Sequence, residues 1–106
     1  MKILLDECVD QKLRHAFVEH DCQTAAYANL AGLKNGALLT AAEVANFDVL
    51  ITTDQEIPYQ QNLDGRRISI LILCARTNRL VDLKLLMPAA LRSLASMEPG
   101  QVLRVG

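Results

Sequence analysis

The feature that most constrains the fold is a set of apolar runs that are continuous and do not alternate with polar residues. ILL follows Lys2, FDVLITTD covers residues 47–54, and ISILILCA covers residues 68–75. Strands that are apolar at every position are typical of parallel sheets covered on both faces, and helical patterns separate these runs. The pattern predicts one α/β domain over residues 1–106, a three-layer α/β/α sandwich with a mainly parallel sheet of about four or five strands.

Hydrophobic periodicity and turn residues give the expected order of elements. Pro88 interrupts the last helical pattern, so we expect a break near Met87 and a second helix opened by Pro88. Asn78 is expected to cap the helix that precedes this break. The expected elements are a strand at 2–5, a helix at 9–20, a strand at 22–27, a helix at 37–45, strands within 47–54 and 68–75, two helices from Arg79 onward, and an edge strand at 101–105.

Composition excludes several classes of protein. The net charge of −1 argues against a generic nucleic-acid binder with a basic footprint, although the acids concentrate in the first two-thirds of the chain and the basic residues in the rest. The aromatic fraction is only 4%, which argues against a sheet that stacks bases. No apolar stretch is long enough for a signal peptide or a membrane span, so we expect a cytoplasmic protein without membrane contact. Three widely spaced cysteines predict neither a disulfide framework nor a zinc motif.

Clustered acids follow two of the predicted strands. Asp6 and Glu7 come directly after the first strand, and Asp54 closes the segment ITTD. Ligands of parallel sheets collect beyond the carboxyl ends of the strands, and neighbouring strands lie about 4.8 Å apart. We expect the first strand to lie beside the strands ending near Asp54 and Cys74, so that Asp6 and Asp54 share one cation. Two hard carboxylate ligands favour Mg²⁺ or Mn²⁺ held against a phosphodiester, whereas ordinary solvated turns are the alternative.

Three segments together resemble a known family. MKILLDECV, AGLKNGALL and DVLITTDQEIPYQQNL resemble bacterial PIN-like proteins, often described as toxin-like domains and related to the PIN-domain ribonucleases. The resemblance implies a PIN-like fold and a Mg²⁺- or Mn²⁺-dependent endoribonuclease, the bacterial toxin of a toxin-antitoxin pair with an antitoxin-like protein partner. It assigns metal binding and catalysis to Asp6 and Asp54. Glu7 would orient a metal-bound water or, equally, form a surface salt bridge.

The chain departs from the family pattern before its central helix. Similar proteins carry an acid there, whereas this chain has LKNGALL, with Asn35 and Ala37 at the corresponding positions. Asn35 could add a neutral oxygen ligand to the metal. Glu43, the nearest acid, is expected to face solvent. The departure keeps open a catalytically weak module that binds RNA or a protein partner.

Amides and arginines near the predicted strand ends are candidate RNA-binding residues, because such groups hydrogen-bond phosphates, sugars and base edges. A polar surface loop is the alternative interpretation of the amides. A receiver domain of two-component signalling is a further alternative, disfavoured because Cys74 and Arg104 stand where it needs a hydroxyl residue and a lysine. Homodimer formation stays open. The candidate substrate-binding residues are Gln61, Asn62, Arg76, Asn78 and Arg79.

Overall fold

The structure, a computed structural model, describes residues 1–60 and 62–106, without the side chains of Asn35 and Gln60. Within these residues, five strands form one sheet. The strands are β1 (Lys2–Leu5), β2 (Asp21–Thr24), β3 (Val49–Thr52), β4 (Ser69–Leu73) and β5 (Val102–Val105). The helices are a 3-10 helix (Gln11–Ala16), α1 (Asn35–Val44), α2 (Ile57–Gln60), α3 (Leu80–Leu85) and α4 (Met87–Ser96).

All pairings in the sheet are parallel, and the strand order is β2-β1-β3-β4-β5. The α/β class and the parallel sheet predicted from the apolar runs are therefore confirmed. The predicted neighbours of β1 are only half right. β1 pairs with β3, which leads to Asp54, but β4, which leads to Cys74, lies on the far side of β3.

Helical segments cover both faces of the sheet, which is compatible with a three-layer sandwich. Leu5, Ile51 and Leu71 belong to a cluster that includes residues of the 3-10 helix, α3 and α4. Leu4 and Leu50 point to the opposite face and belong to a cluster that includes residues of α1 and α2. Burial of alternate side chains on opposite faces explains why these strands are apolar at every position. No helix in the described residues is both long and apolar enough to cross a bilayer.

The helix predicted over 9–20 is wrong in type and length. Only Gln11–Ala16 is helical, and it is a 3-10 helix, started by an Asp10 carboxylate that accepts a hydrogen bond of 2.9 Å from the Lys12 amide. Val9, Leu13 and Phe17 are buried, as their spacing predicts. The tighter turn ends at Phe17, so the chain turns through residues 17–20 and enters β2 at Asp21.

The start of α3 also differs from the expectation. Arg79, not Asn78, is the residue that caps the helix, and its amide donates a hydrogen bond of 3.1 Å to the Thr77 hydroxyl. That hydroxyl in turn donates to the Asp82 carboxylate in the first turn. The break expected near Met87 is confirmed and falls at Leu86, between α3 and α4, and Pro88 lies in the first turn of α4, where its missing amide hydrogen costs nothing.

Glu43 does not face solvent as predicted but anchors α1 to the turn before β4. Its carboxylate accepts hydrogen bonds from the Arg66 guanidinium at 2.7 Å and from the Arg67 amide at 2.8 Å. The side chain is only 17% exposed. Burial acts to raise the pKa of this carboxyl, but the hydrogen bonds from Arg67 and Arg66 outweigh it and hold the pKa below its ordinary value. Glu43 is therefore a structural residue.

Candidate active site

The chain connections leave β1 in opposite directions along the sheet, first to β2 and then back to β3, which creates a crevice between β1 and β3 at the carboxyl ends of the strands. From β1 the chain passes to β2 on one side, and from β2 it crosses back over β1 to β3. Leu5 pairs with Ile51 at the carboxyl ends of β1 and β3, and the Asp6 amide donates a hydrogen bond of 3.0 Å to the Ile51 carbonyl. Such a reversal is where doubly wound sheets bind ligands. Asp6 and Glu7 directly follow the end of β1 at this crevice.

One buried hydroxyl connects the two acidic residues predicted to form the site, through the Asp6 carboxylate and the Asp54 backbone. Thr52, the last residue of β3, is fully buried. Its hydroxyl donates a hydrogen bond of 2.8 Å to Asp6 Oδ2 and accepts one of 3.1 Å from the Asp54 amide. Asp54 Oδ1 accepts a further hydrogen bond of 2.9 Å from the Glu56 amide as the chain turns into α2. The Thr52 hydroxyl therefore ties the Asp6 carboxylate to the backbone of Asp54.

Both carboxylates line a cleft of about 530 Å³. Each is half-buried, and the cleft also holds the exposed side chains of Cys8 and Lys34. The Cys8 sulfur lies 3.4 Å from the Thr52 hydroxyl. Lys34 is the residue just before α1 and brings a positive charge into a cleft whose other charged residues are acids. The cleft thus combines two hard oxygen ligands with a cation that can attract a phosphate.

Glu7 lines the same cleft, but its carboxylate has a backbone partner. Glu7 Oε1 accepts a hydrogen bond of 2.6 Å from the Gly32 amide, which ties the loop before α1 to the end of β1. Gly32 has φ +87°, a conformation that favours glycine. The salt bridge considered for Glu7 is not formed, because the one ion pair among residues 1–60 and 62–106 joins Arg66 and Glu43. Glu7 positions the loop that carries Lys34.

The described residues do not form a complete metal cage. Within them, no three side chains of His, Cys, Asp or Glu come together as a metal-binding group. Asp6 and Asp54 supply two carboxylates, and the side chain of Asn35, the third predicted ligand, lies outside what is described. Magnesium commonly keeps several waters and uses one or two carboxylates, so the donor set fits a largely hydrated cation.

Four of the five predicted RNA-binding residues are described by the structure, and these four do not line the acid cleft. Asn62 is exposed in a turn, where its side-chain oxygen accepts a hydrogen bond of 3.0 Å from the Asp64 amide. Arg76, Asn78 and Arg79 are exposed beyond the end of β4, and none of these four residues lines the acid cleft. Gln61 falls outside the described residues. Their role in RNA binding stays a prediction.

Two residues of the site were not predicted from the sequence. Thr52 had a signal, because it is the single polar residue that ends the buried strand VLIT. Lys34 had none, because its place in the cleft depends on the contact between Glu7 and Gly32, which are 25 residues apart.

The chain was also compared with known protein families, with curated proteins and with solved structures, and none of the three comparisons finds a match.

Proposed function

We propose that the chain is a Mg²⁺- or Mn²⁺-dependent endoribonuclease whose catalytic carboxylates are Asp6 and Asp54. One contact supports this function most: the buried Thr52 hydroxyl that bonds to Asp6 and to the Asp54 backbone at the strand-order reversal. The hydroxyl fixes the Asp6 carboxylate relative to the Asp54 backbone, and both half-buried acids line one cleft, where a single cation can bind them together. Such an arrangement favours a divalent cation over a purely structural role.

Each residue of the cleft has a distinct part in this reaction. A bound cation would supply a more acidic water as the nucleophile and would neutralise charge on the phosphate. Asp6 and Asp54 hold the cation, and Thr52 keeps their spacing. Lys34 attracts the scissile phosphodiester into the cleft, because it is the cleft's one cationic residue among the described positions. Glu7 holds the Lys34 loop in place through Gly32.

The wider biological setting follows from the resemblance to bacterial PIN-like proteins. MKILLDECV and DVLITTDQEIPYQQNL contain Asp6 and Asp54, which both line the cleft, so the resemblance and the geometry concern the same residues. On this basis we propose the toxin of a toxin-antitoxin pair, acting on RNA in the cytoplasm and held in check by an antitoxin-like protein. Homodimer formation is compatible with this proposal.

A weak, non-catalytic module that binds RNA or a protein is the second candidate. It is favoured by the donor set, because no three His, Cys, Asp or Glu side chains of the described residues form a metal-binding group, and Glu7 is engaged by Gly32. Receiver domains share the strand order seen here. However, Cys74 follows β4 and Arg104 lies on β5, where a receiver needs a hydroxyl residue and a lysine. Uptake of phosphate from acetyl phosphate would support the receiver.

The test is cleavage of single-stranded RNA by the purified protein. We expect slow cutting in Mg²⁺ or Mn²⁺, none with chelator, and little in Ca²⁺, whose looser geometry positions water poorly. Asp6→Asn and Asp54→Asn should each abolish cutting and Mn²⁺ binding, whereas Asp64→Asn in an exposed turn is the matched control. Asn35→Asp should strengthen Mn²⁺ binding. Cutting that survives the double substitution of Asp6 and Asp54 would contradict the proposal, and absent Mn²⁺ binding would favour the binding module.

A further inference from the structure

The acid cleft is one end of a longer groove. A second cleft of about 200 Å³ shares Asp6 and Glu7 with it and crosses the carboxyl ends of β1 and β2. A third cleft, of about 670 Å³, shares Gln11, Thr24 and Ala26 with the second. The three clefts are therefore neighbours through shared lining residues, and they extend from the acids to the outer edge of β2.

The third cleft carries side chains suited to a nucleotide. Arg14 lines it, and its guanidinium donates a hydrogen bond of 3.3 Å to the Gln11 carbonyl, which holds it beside the groove. Tyr27 also lines it and is 80% exposed, so one face of its ring is free for stacking. The Tyr27 amide donates a hydrogen bond of 3.1 Å to the Thr24 hydroxyl, which fixes the loop that presents the ring. Gln23 adds a side-chain amide.

We propose that this groove binds the RNA strand on one side of the scissile phosphate, with an unpaired base stacked on Tyr27 and a backbone phosphate bound to Arg14. The proposal rests on the ribonuclease function, and it specifies the substrate as single-stranded. A base inside a duplex keeps its own stacking partners, whereas an unpaired base can stack on an exposed aromatic ring. The volume of the cleft lies within the roughly 300–1,000 Å³ of ordinary ligand pockets.

The charges of the groove determine how much phosphate attraction contributes to the affinity for RNA. Arg14 faces Asp21 in the third cleft, and Asp6 and Glu7 line the connecting cleft, so phosphate attraction alone is weak. Stacking on Tyr27 therefore supplies most of the affinity. With one phosphate contact from Arg14, the slope of log affinity against log salt should include about −0.7 from this residue.

The experiment measures binding of a short fluorescein-labelled oligouridine by anisotropy, with chelator present so that no cutting occurs. Tyr27→Ala should weaken binding roughly tenfold, and Arg14→Met should reduce the salt slope by about 0.7. Tyr59→Ala is the matched control, since Tyr59 is 77% exposed and lies on the opposite flank of the acids, with the Arg104 guanidinium 5.8 Å from its ring centre. Thermal melting checks that the variants fold.

A second substrate separates this proposal from the ribonuclease function. Hydrolysis of bis(p-nitrophenyl) phosphate, a small diester without a nucleotide chain, should be unchanged in Tyr27→Ala and lost in Asp6→Asn. Weaker oligouridine binding in Tyr27→Ala supports the groove, whether or not the protein cuts RNA. If the wild-type protein hydrolyses neither substrate, only the ribonuclease function is rejected. Unchanged binding in Tyr27→Ala, or a loss confined to Tyr59→Ala, would overturn the groove while leaving the acid cleft untouched.

Discussion

Replacing Thr52 by valine tests the buried hydroxyl that organises the acid cleft. Valine has nearly the same shape, so the variant removes the hydrogen bonds to Asp6 and from the Asp54 amide without opening a cavity. A hydrogen bond to a charged group contributes about 1.5–3 kcal/mol. Water can form part of the lost hydrogen bonds in the variant, because both acids are only half-buried. We therefore expect the free energy of unfolding to fall by about 2 kcal/mol.

Two further variants make this measurement specific to the hydroxyl. Thr52→Ser keeps the hydroxyl and loses one buried methyl group, so it should cost only about 0.8 kcal/mol. Thr53→Val is the matched control. Thr53 is the half-buried neighbour of Thr52, and its side chain makes no hydrogen bond to any other described residue. For a chain of this size, 2 kcal/mol corresponds to a decrease in Tm of about 10 °C.

Urea unfolding and RNA cleavage should be measured on the same preparations. Thr52→Val should lose stability and cleavage together, because Asp6 and Asp54 are no longer fixed relative to each other. Thr52→Ser should retain most of its cleavage. If Thr52→Val were as stable and as active as Thr53→Val, the hydroxyl would have no organising role, and the reasoning for the site would be refuted.

Two further substitutions test the charges around the site. Lys34→Met removes a positive charge from the acid cleft, so it should tighten Mn²⁺ binding roughly threefold to tenfold and weaken RNA cleavage. Lys84→Met on α3 is the control and should change neither Mn²⁺ binding nor RNA cleavage. Glu43→Gln should lower the free energy of unfolding by about 1 kcal/mol at neutral pH. Because the folded pKa of Glu43 is lowered, its contribution is present above the unfolded pKa and is lost as pH falls through the folded pKa. Urea unfolding from neutral to acidic pH should therefore show the stabilities of the two proteins converging as the pH falls through the lowered pKa of Glu43, and parallel curves would contradict this role.

The core strands could be predicted because their signal is local. β3 and β4 are buried at every position, and residues such as Ile70 and Leu71 pack on opposite faces of the sheet, so continuous apolar runs were the correct signature. The neighbours of each strand could not be predicted in the same way. β1, β3 and β4 are similarly apolar, and nothing in their composition says that β3 lies between the other two.

The site was predictable only in part for the same reason. Asp6 and Asp54 each follow a strand directly, so a correct sheet brings them to one edge. The partners of Glu43 lie 23 and 24 residues away in sequence, in a turn whose position depends on the whole fold. A residue's distance in sequence from its partner, more than its chemistry, determined whether its role could be inferred.

Hydrogen bonds of the folded chain stabilise the carboxylates of Asp6, after β1, and Asp54, after β3, before any ligand binds. Asp6 accepts hydrogen bonds from the Thr52 hydroxyl and from the Glu7 amide at 2.8 Å, and Asp54 accepts one from the Glu56 amide. These donors stabilise both carboxylates in the folded protein whether or not a ligand is bound. Under the proposed function, a cation bound by both acids would stabilise the folded chain over the unfolded one, which couples ligand binding to the stability of the fold.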